Sequence, residues 1–243
     1  FNIFFYKMSE NIDIDYVQSW ESQADLGVEI NSRLNWSAHC KALVSKASSR
    51  LGLLKRTCHF TIDKRQKRSF YLALVRSIFE HCSVIWSPQY STHIEQFAAI
   101  QKRAVKWIMG EPFASYNDEV FAAKQRELNI LPIMLKFIYN ALILFYKIVN
   151  GVVPISLPNY ITVCEPEGTQ YTRRNAQIID RSDVSTYNCS IVPRIDAFRN
   201  SYFYRTMRKW NSLPVGIRQS EGISAYKSSL IEYLWAADTV WPD

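Results

Sequence analysis

The chain has 243 residues, nearly half of them hydrophobic and 14% aromatic with only seven Gly, a composition that can bury a core and excludes a disordered chain. A formal net charge of +7 and an isoelectric point of about 9.1 suit a polyanionic partner. Five scattered cysteines, odd in number and without a CxxC pair, exclude a disulfide framework and fit reduced thiols in an intracellular protein, nuclear or cytoplasmic placement being left open.

Residues 2–7 and 12–18 read as short strands, and "ADLGVEI" at 24–30 as a third, with Gly27 a bend or bulge in it. Ser37 is expected to cap a helix carrying Leu43, Ala47, Leu51 and Leu54 on one face, with Lys55 and Arg56 favouring its C-terminal dipole. Thr61 would cap the next, with Phe70, Leu74, Ile78 and Cys82 in register and an end before Pro88. "THIE" at 92–95 reads as a capping box for a third helix, with Phe97, Ala104, Val105 and Ile108 as its stripe and Gly110 as its stop. Ser115 would open a shorter helix to about Leu128. Pro132 would start another that carries Ile138, Leu142, Phe145 and Val149 to Gly151. From 152 to 198 four prolines among many Ser and Thr predict an irregular stretch with a few short strands. Two helices, near 200–211 and 224–236, close the chain. Its longest apolar run, "FIYNALILFY" at 137–146, is too short to cross a bilayer, so no membrane partner is expected. No secretory signal is visible, and Phe1 in place of Met predicts a processed chain or, by preference, a piece of a longer reading frame.

Charge is concentrated. Residues 41–110 hold thirteen Lys/Arg against Asp63, Glu80 and Glu95, a net +10, whereas residues 1–40 come to −4. Lys64, Arg65, Lys67 and Arg68 cluster at one helix start, and Lys102, Arg103 and Lys106 on another helix. Cations at a helix N-terminus oppose its dipole, so the first cluster calls for compensation by phosphate or by the acids of residues 1–40.

The stretch "SYFYRTMRKWNSLP" at 201–214 sorts on a helical wheel into Phe203, Thr206, Met207 and Trp210 on one side and Arg205, Arg208 and Lys209 on the other. Periodicity alone explains it as an amphipathic helix with its cations in water, and these three are secondary candidates for nucleic-acid contact. The neighbours His39-Cys40, Cys58-His59 and His81-Cys82 point about 100° apart on a helix, so no zinc is expected. The sequence holds no GxSxG, P-loop or GxGxxG, and His93 with Glu95 reads as a helix start.

The order of motifs adds a resemblance. Asp25-Leu26-Gly27-Val28, Leu34-Asn35-Trp36 and His39 are followed by "YLALVRSIFEHCSVIWSP" (71–88), "IEQFAAIQKRAVKWIMG" (94–110), "TRR", "FRNSYFYRTMRKWNSLP" and "SAYKSSL". Over about 24–234 this resembles the region after the palm in reverse transcriptases of non-LTR retrotransposons, particularly jockey-like elements, with His81 where that pattern commonly has Tyr. The resemblance implies an end-of-palm β unit at 1–36, a helical thumb-like domain at 37–151, an irregular linker or loop at 152–198 and a C-terminal helical segment at 199–243. The fold class is then mainly α with a small N-terminal antiparallel β unit: a thumb-like bundle, an irregular segment and two C-terminal helices.

Reverse transcription needs three carboxylates around two Mg²⁺ ions, and the sequence has no Asp-Asp pair; "DID" at 13–15 reads as polar residues alternating in a strand. Mg²⁺ is thus implied only for a palm upstream, no cofactor for this chain, and no catalytic residue within it. The resemblance implies a non-catalytic polymerase fragment, with the remainder of the polymerase upstream. It would hold an RNA template and a DNA primer through Lys64, Arg65, Lys67, Arg68, Lys102, Arg103 and Lys106, and through Arg205, Arg208 and Lys209. The alternative is a helical protein-interaction module or decayed transposon remnant that binds no nucleic acid.

Overall fold

The structure, a computed structural model, describes residues 22–58, 62–88, 90–111, 113–164 and 186–236. The strands expected at 2–7 and 12–18, the "DID" triplet, Thr61 and the "TRR" triplet lie outside these residues. The fold is mainly α with a small N-terminal antiparallel sheet. It divides into two compact units. One holds the described residues up to Cys82 together with Trp86–Ala114; the other holds Ser83–Ile85 and the described residues from Ser115 onward. The boundary at 114/115 cuts the expected 37–151 domain, because the helices after Ser115 bury their apolar faces with the C-terminal helices.

In the first unit, "ADLGVEI" is a hairpin rather than one strand. β1 (Ser22–Asp25) pairs with β2 (Val28–Asn31), Asp25 opposite Val28. Leu26 and Gly27 between them both have positive φ, 46° and 82°, as a tight two-residue reversal requires. Gly27 is therefore a turn residue. α1 (Ser37–Thr57) buries Leu43, Ala47, Leu51 and Leu54 as their spacing predicts. Ser37 does not cap it: Asn35 Oδ1 accepts the Ser37 N–H at 2.9 Å, and the Ser37 hydroxyl pairs with His93 Nε2 at 3.1 Å.

α2 (Lys64–Tyr71) runs through a π turn (Leu72–Arg76) into α3 (Ser77–Glu80). Its cap is Asp63, whose Oδ1 accepts the Gln66 N–H at 2.6 Å. The buried stripe is Tyr71, Val75 and Phe79, one residue on from the expected Phe70, Leu74, Ile78 and Cys82, and Phe70 and Leu74 are exposed. Both stripes have helical spacing. The buried one carries two aromatics, and Phe79 meets Phe97 edge to face at 4.8 Å, so it hides more apolar area. Arg76, buried in the π turn, is held by Glu80 at 2.8 Å.

After α4 (Ser83–Trp86), α5 (Ser91–Met109) starts two residues earlier than its predicted capping box allows, and His93 is buried against α1. Gly110 ends it at φ 79°. α1 and α5 touch at Ser37–His93 and again at Ser48–Arg103, so they lie side by side and run in the same direction.

In the second unit, α6 (Asp118–Glu127) is capped by Asn117 rather than Ser115, and α7 (Ile133–Val149) follows Pro132 as expected. The irregular stretch contains β3 (Ile161–Val163) paired with β4 (Tyr187–Cys189). α8 (Asp196–Arg199), α9 (Tyr202–Asn211), α10 (Val215–Arg218) and α11 (Ile223–Ala236) complete the unit. Its core gathers Leu142, Phe145 and Tyr146 of α7, Trp210 of α9 and Tyr226 and Leu230 of α11. Tyr146 and Tyr226 stack at 4.2 Å between ring centres.

Candidate nucleic-acid interface

In the first unit the motif residues divide by chemistry. Val28, Trp36, Trp86, Gln101 and Ala104 are buried, and the Trp86 indole N–H donates to the His81 carbonyl at 2.8 Å. His81, exposed, holds the hairpin turn through Nε2 on the Leu26 carbonyl at 2.9 Å. On the other side of the hairpin, His39 Nδ1 accepts the Glu29 N–H at 3.3 Å. Burial lowers the His39 pKa from its ordinary value; the Glu29 carboxylate opposes this and His81 reinforces it. These His residues are packing groups, and Cys40 beside His39 is a buried thiol pushed up to about 11.

The cations are arranged around α5. Arg103, exposed, donates from Nη2 to the Ser48 hydroxyl of α1 at 3.1 Å. It also lies close enough to Lys55 to help lower that ammonium's pKa, after burial of the lysine stem. One turn further along α5, Trp107 is covered by the Lys67 ammonium of α2, 5.9 Å from the ring centre. Two contacts thus tie α5 to its neighbours: Arg103 to Ser48 of α1, and Trp107 to Lys67 of α2. Lys64 and Arg65 of α2 are exposed and Arg68 is half-buried; Lys102 and Lys106 of α5 are half-buried. Of the predicted set, Arg103 and Lys67 each contact a helix packed on their own; Lys55, which sequence reasoning assigned to the α1 dipole, is a further cation that feels the Arg103 charge. Its i, i+7 spacing from Ser48 was the available signal.

The outer side of α2 differs. Arg65, Gln66, Ser69 and the exposed Phe70 line an open hollow of about 660 Å³ together with Ile62 and Asp63.

The second unit corrects one of the secondary candidates. Arg205 does not stand free in water opposite the apolar side; it is half-buried and its guanidinium donates to the Val84 carbonyl. Burial lowers its pKa to about 10, with Tyr202 acting in the opposite direction. Arg208 is exposed and Lys209 half-buried on the same helix. Asn211 makes a two-point bond to the β4 backbone, accepting from the Tyr187 N–H at 3.0 Å and donating to its carbonyl at 2.7 Å. Trp210 and Leu213 are in the core, so the "RKWNSLP" run is explained by packing at these positions.

Among the described residues no three His, Cys, Asp or Glu side chains converge as a metal site would need, and no described helix is long and apolar enough to cross a membrane. No family model matches the chain, and neither does any curated protein or solved structure.

Proposed function

We propose that the first unit binds the sugar–phosphate backbone of nucleic acid, as the non-catalytic part of an RNA-directed DNA polymerase that holds an RNA template and its DNA primer. The observation that carries this reading is that α5 bears Arg103 against Ser48 of α1 and Trp107 under Lys67 of α2, with Lys55 exposed on α1, on a chain segment of net +10. Such a line contacts phosphate and sugar with little sequence preference. The resemblance to the post-palm region of non-LTR reverse transcriptases supplies the substrate class, an RNA–DNA duplex.

The test is binding of a fluorescent RNA–DNA duplex in parallel with an acidic polypeptide of equal charge. The expected result is preference for the duplex, without sequence dependence; preference for the polypeptide overturns the reading. Primer extension by this chain alone is expected to give no product.

A second reading, a helical protein-interaction module, is favoured by Phe70 and Leu74, which stand exposed one turn apart beside Arg65. Mixed apolar and cationic stripes of this kind fit a protein partner. Binding of the polypeptide that Phe70→Ser abolishes would support it.

A further inference from the structure

α1 carries two small residues one turn apart, Ser48, which α5 reaches through Arg103, and Gly52. Gly52 leaves the helix backbone bare there. The Arg56 guanidinium folds back over it, with Nη1 only 3.6 Å from where a Cβ would stand. From the neighbouring helix Arg103 reaches the Ser48 hydroxyl. Lys55, exposed two turns on from Ser48 on the same face of α1, adds a third cation.

We infer that Ser48, Gly52, Lys55, Arg56 and Arg103 form a seat for one phosphate group, with Gly52 as its floor and the three cations as its rim. Arg56 and Arg103 present planar forks of N–H donors, which suit the tetrahedral oxygens of a phosphate. Ser48 holds the Arg103 fork in place, so part of the ordering cost is met before the anion arrives. Gly rather than Ala at position 52 costs about 0.5–1 kcal/mol of helix propensity. In an interior turn of α1 that cost is offset if a ligand approaches the backbone there.

This seat rests on the proposed backbone-binding function and names the point on the face where one phosphate is anchored. Its chemistry is shared by free diphosphate and by a polynucleotide phosphate, so both are probes. Gly52→Glu places a carboxylate over the floor, next to Arg56 one turn on, without removing a cation or weakening helix propensity. Gly52→Ala covers the floor with one uncharged methyl group at an ordinary contact distance from Arg56, and should weaken binding less than Gly52→Glu.

The measurement is amide NMR of the full chain titrated with inorganic pyrophosphate, together with the affinity of each variant for an RNA–DNA duplex and its thermal midpoint. The expected result is a pyrophosphate shift confined to Ser48, Gly52, Arg56 and Arg103, with an upward shift of the Lys55 titration. Gly52→Glu should lose both and bind the duplex roughly tenfold more weakly at an unchanged or higher midpoint. Shifts spread evenly over all the cations, or equal duplex affinity of Gly52→Glu and the parent chain, overturn the seat while leaving the wider nucleic-acid reading in place. A localised pyrophosphate shift with no duplex binding by any variant keeps the seat and removes the nucleic-acid reading.

Discussion

Both units turn polar side chains onto their own backbone, but they place their cations differently. In the second unit these bonds include an arginine. Tyr202 donates to the Ala141 carbonyl at 3.1 Å, Tyr146 to that of Ser220 at 3.0 Å and Arg205 to that of Val84, while Asn211 pairs with Tyr187 at two points. In the first unit Glu80 holds the buried Arg76, while Lys55, Arg56, Lys64, Arg65 and Arg103 stand exposed on α1, α2 and α5. A charge turned inward stabilises one fold. Like charges gathered at a surface cost stability, and that cost is expected where a surface has a polyanion to meet. The same residue type, Arg, therefore has different meanings at 103 and 205.

The largest expected effect falls on the second unit's core. Trp210→Ala should lower unfolding free energy by about 3–5 kcal/mol in chemical denaturation, because Trp210 is buried among Phe145, Tyr146 and Tyr226. Duplex affinity per folded molecule should stay unchanged, and a matching loss of affinity would erase the distinction between the units.

Next in size is Asn211→Ala. It strips both partners from the Tyr187 peptide groups and should cost about 1–3 kcal/mol by the same measurement. Fast hydrogen exchange at Tyr187 would locate the damage.

The comparison sharpens when two arginines are exchanged for neutral residues side by side. Arg103→Gln is expected to weaken duplex binding roughly tenfold with little change in stability. Arg205→Met should do the reverse, leaving the Val84 carbonyl without its donor and lowering stability by about 1–3 kcal/mol at unchanged affinity.

The smallest effect is a pH dependence in the hairpin clip. The His39 pKa is depressed in the fold, so the unfolded chain takes up a proton that the folded chain resists. The stability that the neutral ring contributes is complete above its ordinary value of 6.5. It is lost as pH falls below 6.5 toward the depressed folded value. Denaturation midpoints between pH 8 and pH 5 should fall in the parent chain, and fall less in His39→Gln; parallel curves would rule out His39 as the cause.

Much of the helical fold was legible because apolar spacing survives tertiary packing. Leu43 to Leu54, Phe97 to Ile108 and the Phe203 to Trp210 face lie where their periods place them. Helix starts were less legible. Ser, Thr, Asp and Asn near a helix start all offer an acceptor, and the geometry used Asp63 and Asn117 while sending Ser37 to a tertiary contact with His93. At Phe70 and Tyr71 two adjacent stripes had the same period, and only the packing of Phe79 on Phe97 decides between them. Arg205 could not be read from the wheel, because a wheel does not show that a carbonyl from residue 84 arrives on the polar side of α9. For the same reason the Lys55–Arg103 pairing was invisible: it depends on α1 and α5 running in the same direction.

The most direct measurement is the salt dependence of RNA–DNA duplex affinity for the parent chain and for a Lys55, Lys67, Arg103 triple substitution to Gln. A line of backbone contacts predicts that log affinity falls linearly with log salt, and that the slope shrinks by about one for each contact removed, roughly three in all. A flat response in the parent chain, or the same slope in both proteins, would contradict the assignment of nucleic-acid binding to the α1–α2–α5 face.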